Sequence, residues 1–494
     1  MSTTYPPPPP FTWPQITPRQ LLPVFPPPEP LPAPPLPSPP RKPMFNAPYT
    51  LSTHIFPAAH LRTTNFVSVT PPPPSNATKE ERRARAEQTI QRLKDVRGSI
   101  EPRGSRQVLW NCANRYMKQG LDGTRAECVT LFFAHANGFP KEIWEPTLQY
   151  LLCSPAASVI DEVWTWESVQ HGDACLINGD KIGAVFDWTD NARDILNFLI
   201  YYLPSVASSA PLPTHLARLP PDESEYRKSN PFRNRTLLAI GHSYGGCTSA
   251  LAALTHPKLF SSLVLIDPVI VKPAGPLIDK TEHDNRLALG LVLGAILRGD
   301  TCDTREDAER RMLASIPRRQ NQAWNTRSEA ADRLVLGALL RRETWSSREE
   351  ALQILRQSPF FGAWDPAVLR IYLECGTYDT IDPTSGKPII RLKMPGMQEA
   401  VVFNETHTEC EVYHRLPTLD EKIELRWVVP GKPGAGEFGP PGATRERVWL
   451  RPKNASNIRI PNAGHLIAQE APQALARDIQ EFMERRYMAP RAHL

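Results

Sequence analysis

The 494-residue sequence lacks the features that would assign it to a membrane or secretory class. Its longest apolar run, Leu287–Leu297, is far shorter than the roughly 20 residues that span a bilayer. Prolines follow Tyr5 directly, where a secretory leader would carry an apolar segment. We therefore expect a soluble protein without a transmembrane segment or a secretory leader.

The sequence also lacks the signatures of metal and nucleic-acid sites. Its eight cysteines stand singly, and none forms a Cys-x-x-Cys pair or a Cys/His cluster with zinc spacing. Reduced thiols in an intracellular compartment are the simplest interpretation. The net charge of +5 is small, and no basic stripe with interleaved aromatic residues is present. We predict neither a metal nor a nucleic-acid partner.

Proline is abundant instead, with 54 residues concentrated before Ser75. Because proline cannot donate a backbone hydrogen bond, we predict a disordered or polyproline arm over residues 1–45. The arm fits either a solvated tail or a ligand for proline-binding modules. Thr78–Glu81 is typical of a capping box, so the charged segment at about 75–105 is predicted to be a helical surface insertion.

From residue 127 onward, apolar runs alternate with segments of helical pattern, which predicts βαβ units and a mostly parallel sheet. We expect a first core part over residues 46–270 and a second over 362–494. The interval 271–361 is rich in arginine and lacks strand signals, so it is predicted to be a helical cap inserted before the penultimate strand.

The motif Gly241-His242-Ser243-Tyr244-Gly245 follows an apolar strand and precedes a small-residue helix. A nucleophilic serine on a sharp strand-to-helix turn needs glycines on both sides, because strand and helix approach each other closely there. We predict Ser243 as the nucleophile and Gly241 and Gly245 as the motif glycines, and we call the turn Gly241–Gly245 the elbow and the helix after it the elbow helix.

An acyl-transfer enzyme also needs backbone N–H groups aimed at the developing oxyanion. We predict one from Tyr244, the residue after the nucleophile. We predict the other from Phe139, within the loop His135–Pro140 that follows the first buried strand.

A serine hydroxyl needs a base, and His465 lies late in the chain, as the order serine, acid, histidine requires. Two acids remain candidates. Asp267 ends the strand after the elbow helix and is preferred, and Glu437 in the later Pro/Gly-rich loop is the alternative.

These segments resemble those of the fungal peroxisomal α/β hydrolases, a group that includes hydrolases of host-selective toxin biosynthesis and the fungal peroxisomal lipase. The motifs that carry the resemblance are His135–Glu142, Gly241–Gly246, Gly464-His465, Thr53–Arg62 and Trp188–Asp194. The resemblance implies the α/β-hydrolase fold, a serine esterase or lipase activity on a lipid-like or secondary-metabolite ester or thioester, and no cofactor. The arm and the charged segment depart from it, and the long stretch Pro430–Thr444 leaves the acid open.

The last three residues, Ala492-His493-Leu494, fit the small–basic–leucine pattern of a peroxisomal address. We therefore expect the peroxisomal import receptor as a partner and the peroxisomal matrix as the location. The alternative function is a non-catalytic binding or scaffold protein that keeps the hydrolase fold and recruits partners through its Pro-rich arm.

Overall fold

Two sheets organise the computed structural model, which describes residues 3–71, 77–99, 104–121, 129–273 and 329–488. In chain order the strands are β1 Tyr49–Pro57, β2 Trp110–Lys118, β3 Val129–Ala134, β4 Ile160–Glu167, β5 Thr236–His242, β6 Ser262–Ile266, β7 Thr344–Trp345, β8 Thr377–Ile381, β9 Pro388–Leu392, β10 Glu424–Pro430 and β11 Ala455–Ile460. The larger sheet has the order β1-β2-β4-β3-β5-β6-β10-β11. Among the described residues of this larger sheet, only the pairs β1–β2 and β2–β4 are antiparallel, so the predicted mostly parallel sheet is confirmed.

Side chains of the central strands alternate between two apolar layers. In β3, Leu131 and Phe133 enter one hydrophobic cluster, whereas Phe132 and Ala134 enter the other. Successive strand residues point to opposite faces, so a strand covered on both sides must be apolar at every position. This explains why β3 and β5 stand out in the sequence as continuous apolar runs.

Helices cover both faces of this sheet. In chain order they are α1 Lys79–Ser99, α2 Glu145–Leu152, α3 Gly172–Asn178, α4 Trp188–Asn197, α5 Pro221–Ser229, α6 Tyr244–Thr255, α7 Glu329–Leu340, α8 Arg348–Gln357, α9 Pro359–Gly362, α10 Pro366–Gly376, α11 Gly396–Phe403, α12 Thr408–Arg415, α13 Ala443–Arg447, α14 Ile467–Glu470 and α15 Pro472–Met483. Single turns of 3₁₀ or π helix cover Lys141–Trp144, Pro155–Ser158, Gly179–Lys181, Phe198–Tyr202, Pro257–Leu259, Leu416–Thr418 and Glu484–Met488. Helix α4 packs on α6, which fixes the helix behind the candidate nucleophile.

Of the described residues between β6 and β10, none joins the large sheet; these residues are called the inserted region below. Much of the predicted cap lies outside the described residues. Its described part is mainly helical, but it also contains β7, which pairs with β9; β9 pairs in turn with β8, and the three strands form a separate sheet. This sheet leaves no apolar run in the sequence, because β7 is two residues long and β8 alternates half-buried and exposed residues after a buried Thr377.

The capping box at the start of α1 forms as its sequence indicates. The Glu81 carboxylate accepts from the Thr78 N–H at 2.7 Å, and the Thr78 hydroxyl accepts from the Glu81 N–H at 3.2 Å. Such a reciprocal cap stabilises a helix start by about 1 kcal/mol.

Residues 3–45 of the Pro-rich arm contain no helix, yet they make specific contacts with the body. Arg193 of α4 donates to the carbonyls of Leu22 at 2.9 Å and Pro23 at 2.8 Å, and Arg218 donates to Pro27 at 2.6 Å. Proline lacks a donor but keeps its carbonyl acceptor, which buried arginines can use. Residues 3–45 therefore form an arm without helices that is hydrogen-bonded to the body of the fold.

Arg19 of the arm forms ion pairs with three carboxylates of the body. Its guanidinium lies 2.5 Å from Asp187, 2.6 Å from Glu411 and 3.4 Å from Glu405, three carboxylates that are buried. Asp187 precedes α4, and Glu411 lies on α12 in the inserted region. Arg19 thus ties the arm to two separate parts of the fold.

Candidate active site

Ser243 lies at the turn between β5 and α6 in a strained backbone conformation, with φ +54° and ψ −118°. Its N–H donates to the Ile266 carbonyl at 3.0 Å. Its own carbonyl accepts from the N–H groups of Cys247 and Val269, both at 3.1 Å. A non-glycine residue at positive φ persists only where its surroundings hold it, and these three hydrogen bonds do so.

The glycines on either side are required by close backbone contacts. A Cβ on Gly241 would lie 2.6 Å from the Gly245 carbonyl oxygen, and one on Gly245 would lie 2.4 Å from the His135 carbonyl oxygen. Cβ atoms do not approach other atoms this closely, so neither position tolerates a side chain. The glycines also bring the elbow against the loop that begins at His135.

Ser243, His465 and Asp267 form a continuous hydrogen-bonded series. His465 Nε2 lies 3.0 Å from Ser243 Oγ, and His465 Nδ1 lies 2.7 Å from Asp267 Oδ2. Ser243 and Asp267 are 6% and 3% exposed, whereas the His465 side chain is 33% exposed. The series thus runs from a buried acid to a base that solvent and small molecules can reach.

Asp267 is kept ionised by its surroundings. Arg447 Nη2 donates to Asp267 Oδ1 at 2.6 Å, so one carboxylate serves both an arginine and the histidine. Burial raises the pKa of Asp267, but the Arg447 charge and the His465 hydrogen bond outweigh burial and lower it overall. A carboxylate in this state favours the tautomer in which His465 Nδ1 carries the proton and Nε2 faces the serine.

Glu437, the alternative acid, makes different contacts. Its carboxylate accepts from the backbone N–H groups of Gly442 at 3.2 Å and Thr444 at 2.6 Å, at the start of α13. This is the arrangement of a carboxylate that caps a helix N-terminus. The structure therefore places Asp267, and not Glu437, beside His465.

Three further residues contact the series without having been predicted. Phe438 packs edge-on against the His465 ring at 4.9 Å, and the Arg447 guanidinium lies 5.4 Å from the Phe438 ring centroid. His242 Nε2 lies 2.9 Å from the His465 carbonyl oxygen. His242 belongs to the elbow motif, whereas Phe438 and Arg447 come from distant chain positions that carry no local signal.

The predicted oxyanion loop turns sharply at Gly138, which has φ +92°. A Cβ at Gly138 would meet the Glu399 carboxylate of α11 at 2.9 Å. The Phe139 ring packs edge-on against Trp364 at 5.4 Å and Tyr372 at 6.0 Å, which anchors the loop to the inserted region. The roles of the Phe139 and Tyr244 N–H groups stay predictions.

Two negative findings concern the described ranges alone. Within them, no cluster of three or more histidine, cysteine, aspartate or glutamate side chains is arranged to hold a metal ion. No helix among them has the length and apolar character needed to cross a membrane.

Cys247, on the helix behind Ser243, is fully buried, and burial raises the pKa of its thiol well above the usual range. A thiol in this state is a packing residue and not a second nucleophile.

Comparison with known proteins relates this geometry to one fold family. Residues 230–409 match the model of the alpha/beta hydrolase fold family. The solved structure of the peroxisomal alpha-beta-hydrolase Lpx1 from Saccharomyces cerevisiae superposes with a TM-score of 0.54 at 17% identity, over 90% of this chain and 92% of that chain. Both comparisons agree in fold.

Two curated relatives match over a shorter stretch. The peroxisomal membrane protein LPX1 of S. cerevisiae is 31% identical over 145 residues, which is 29% of this chain and 31% of the relative. The type I acyl-CoA thioesterase mpaH' of Penicillium brevicompactum is 28% identical over 144 residues, which is 29% of this chain and 27% of the relative. The chain thus matches less than a third of the length of either relative.

Proposed function

Because this chain has the α/β-hydrolase fold and resembles fungal peroxisomal hydrolases, we propose that it is a serine hydrolase of carboxylic esters or thioesters. Its substrate carries a lipid-like or secondary-metabolite acyl group. The observation that carries the proposal is the series Ser243–His465–Asp267, with distances of 3.0 and 2.7 Å between the side chains.

In the first half of the reaction, Ser243 Oγ attacks the carbonyl carbon while His465 Nε2 removes its proton. Asp267 holds the opposite side of the imidazole and stabilises the positive charge that forms. The tetrahedral oxyanion accepts hydrogen bonds from the Tyr244 and Phe139 N–H groups. Tyr244 opens α6, so the positive end of the helix dipole also favours this anion.

In the second half, the tetrahedral intermediate collapses and the bond to the leaving alcohol or thiol breaks. His465 gives its proton to that leaving group and leaves an acyl ester on Ser243. Water then attacks the acyl ester, with His465 again as the base, and the carboxylic acid leaves as Ser243 recovers its proton. Each turnover consumes the ester or thioester and one water, and oxidation states do not change.

Esters and thioesters share this chemistry, and the leaving group distinguishes them. The Penicillium relative, which is named an acyl-CoA thioesterase, supports the thioester. We would assay matched pairs, such as an acyl-CoA and the p-nitrophenyl ester of the same acyl chain. A ratio of kcat/KM values that favours the CoA ester across several chain lengths assigns the thioester class.

The serine itself is tested with a fluorophosphonate probe, which reacts covalently with activated serines. We expect labelling of the wild type and no labelling of Ser243→Ala. Ser249→Ala is a matched control, because Ser249 is a buried serine on the same helix and should leave labelling unchanged. If folded wild-type protein is not labelled, the non-catalytic binding or scaffold function replaces the hydrolase.

We further propose that the protein acts in the peroxisomal matrix. The yeast relative is named as a peroxisomal protein, and residues 492–494, which lie outside the described residues, fit a peroxisomal address. A fluorescent protein fused to the N-terminus should give punctate signal that overlaps a peroxisomal marker. Deletion of residues 492–494 should return the signal to the cytosol, and unchanged puncta would contradict the proposed address.

A further inference from the structure

We propose that His171 is a positioning residue that aligns both halves of the oxyanion hole. The inference rests on the proposed hydrolase function, in which one N–H group comes from the elbow and the other from the His135–Pro140 loop. His171 does not belong to either segment. It lies between β4 and α3, and its side chain contacts both segments.

The first contact is with the elbow. The rings of His171 and Tyr244 stack with their centroids 6.0 Å apart and their planes 16° apart. Tyr244 also packs edge-on against Trp188 at 4.9 Å, so its ring is held from two sides. Because the ring and the backbone N–H belong to one residue, fixing the ring restricts the direction in which that N–H points.

The second contact is with the loop. His171 Nε2 lies 3.1 Å from Asn137 Oδ1, and an amide oxygen only accepts, so Nε2 carries the proton. His171 Nδ1 then accepts from the Ser168 hydroxyl at 2.8 Å. Asn137 precedes Gly138 and Phe139, so this hydrogen bond fixes the loop two residues before the predicted donor Phe139. The Asn137 amide also donates to the Glu399 carbonyl of α11 at 3.1 Å.

A neighbouring imidazole completes the arrangement. The Ser168 N–H donates to His135 Nε2 at 3.3 Å, which leaves His135 Nδ1 to donate to the Ala136 carbonyl at 2.8 Å. Both histidines are fully buried, and burial lowers the pKa of His171 well below its usual value and that of His135 to about 4. Both imidazole rings therefore stay neutral, and each ring N–H has an acceptor, Ala136 for His135 and Asn137 for His171.

The backbone at His171 is itself fixed. Its N–H donates to the Ser168 carbonyl at 2.9 Å, and its carbonyl accepts from the Cys175 N–H at 2.8 Å. Gly172 follows with φ +44°, and a Cβ there would collide with the Glu167 carboxylate. A rigid turn thus holds the imidazole in place, as expected of a residue whose task is to orient others.

The test compares two substitutions at this position. His171→Phe keeps the stacking surface and removes the donor, whereas His171→Gln keeps an amide donor. His54→Phe is the matched control, because His54 is also a buried histidine but lies on β1 at the far edge of the sheet. Active sites are counted with the fluorophosphonate probe, so that loss of folded protein is separated from loss of rate.

We measure kcat and KM for a p-nitrophenyl ester and the inhibition constant of a trifluoromethyl ketone, which forms a tetrahedral oxyanion on the serine. Losing one oxyanion donor costs on the order of a hundredfold or more, so misalignment by His171→Phe should cost roughly ten- to a hundredfold in kcat per active site. The inhibitor should weaken by a similar factor while KM changes little. His171→Gln should recover much of the loss, and His54→Phe should leave kcat per site unchanged.

An unchanged kcat per site in His171→Phe, or equal losses in the Gln and Phe variants, would overturn the proposal. If His171→Phe does not fold, Asn137→Ala replaces it, because it removes the same hydrogen bond from the loop side. A wild-type kcat per site in that variant would equally overturn the proposal. Failure of the proposed function is distinct, since the wild-type protein would then show neither labelling nor hydrolysis.

Discussion

Replacing Asp267 with asparagine should abolish most of the activity through the histidine tautomer. Asp267 Oδ1 faces Arg447, and Oδ2 faces His465. Asparagine has one oxygen and one NH₂ group for these two positions. An arginine has only donors, and hydrogen bonds to a charged group are about twice as strong as neutral ones, so the amide oxygen should turn to Arg447.

The NH₂ group then faces His465 Nδ1, which must accept from it. The ring proton moves to Nε2, which no longer accepts from Ser243. The wrong tautomer in a serine triad costs about 10⁴ in kcat, or about 5.5 kcal/mol of transition-state stabilisation. We expect a loss of 10³ to 10⁴ in kcat/KM for a p-nitrophenyl ester, where ~1.4 kcal/mol corresponds to each factor of ten.

The variant also loses stability, so the two effects must be separated. Arg447 is 2% exposed, and removing the partner of a buried charge costs about 3–5 kcal/mol when nothing replaces it. The amide oxygen and the Pro268 carbonyl, which Arg447 reaches at 3.0 Å, should retain part of this. Thermal unfolding and near-ultraviolet circular dichroism establish that the assayed protein is folded.

Glu437→Gln is the matched control. Glu437 is exposed and caps α13, so its replacement should lower stability by about 1 kcal/mol and leave kcat/KM within a few-fold. An Asp267→Asn variant that keeps more than a tenth of wild-type kcat/KM would refute the reasoning. A larger loss in Glu437→Gln than in Asp267→Asn would assign the acid to Glu437.

Three further predictions concern stability. Gly245→Ala should prevent normal folding, because its Cβ would lie 2.4 Å from a carbonyl oxygen. Gly337→Ala has open space around it in α7 and should raise the melting temperature by up to a few degrees. Equal melting temperatures of the two variants would contradict this prediction. Arg19→Met should lower the free energy of unfolding by about 3 kcal/mol, because three buried carboxylates lose a cation. Arg83→Met removes an exposed ion pair and should change the free energy of unfolding by under about 0.5 kcal/mol. Unfolding in urea measures both values. Burial lowers the pKa of His54 from 6.5 to about 4, so the unfolded chain takes up this proton first and stability falls as pH falls from 6.5 to 4. His54→Phe should therefore show a shallower loss over this range, by up to about 1.4 kcal/mol per pH unit, and parallel pH profiles would contradict the assignment.

The elements that the sequence predicts best are those buried on both sides. β3 and β5 are apolar at nearly every position because each lies between two hydrophobic layers. The elbow is predicted equally well, because a Cβ added at Gly241 or Gly245 would lie 2.4–2.6 Å from a carbonyl oxygen, so only glycine fits there. In both cases the physical constraint acts on residues that are adjacent in the chain, so it leaves a local pattern.

The parts that escape prediction depend on partners far away in the chain. Arg447 is one arginine among many, and only the fold brings it within 2.6 Å of Asp267. The arm is similar: its composition excludes regular structure, yet Arg193 and Arg218 supply donors to its carbonyls. A proline-rich composition therefore predicts that helices and strands are absent, but it does not predict that fixed contacts are absent.

The two candidate acids, Asp267 and Glu437, differ in how far the sequence alone determines their positions. Asp267 follows β6 directly, and its N–H donates to the Val428 carbonyl of β10 at 2.8 Å, so its position is set by the sheet. Carboxyl ends of parallel strands meet at one edge, which brings Asp267 to the end of β5 and hence to Ser243. Glu437 lies seven residues beyond the end of β10 at Pro430, and that length permits many conformations. A residue at the end of a strand can therefore be assigned from the sequence, whereas one on a long loop needs the folded structure.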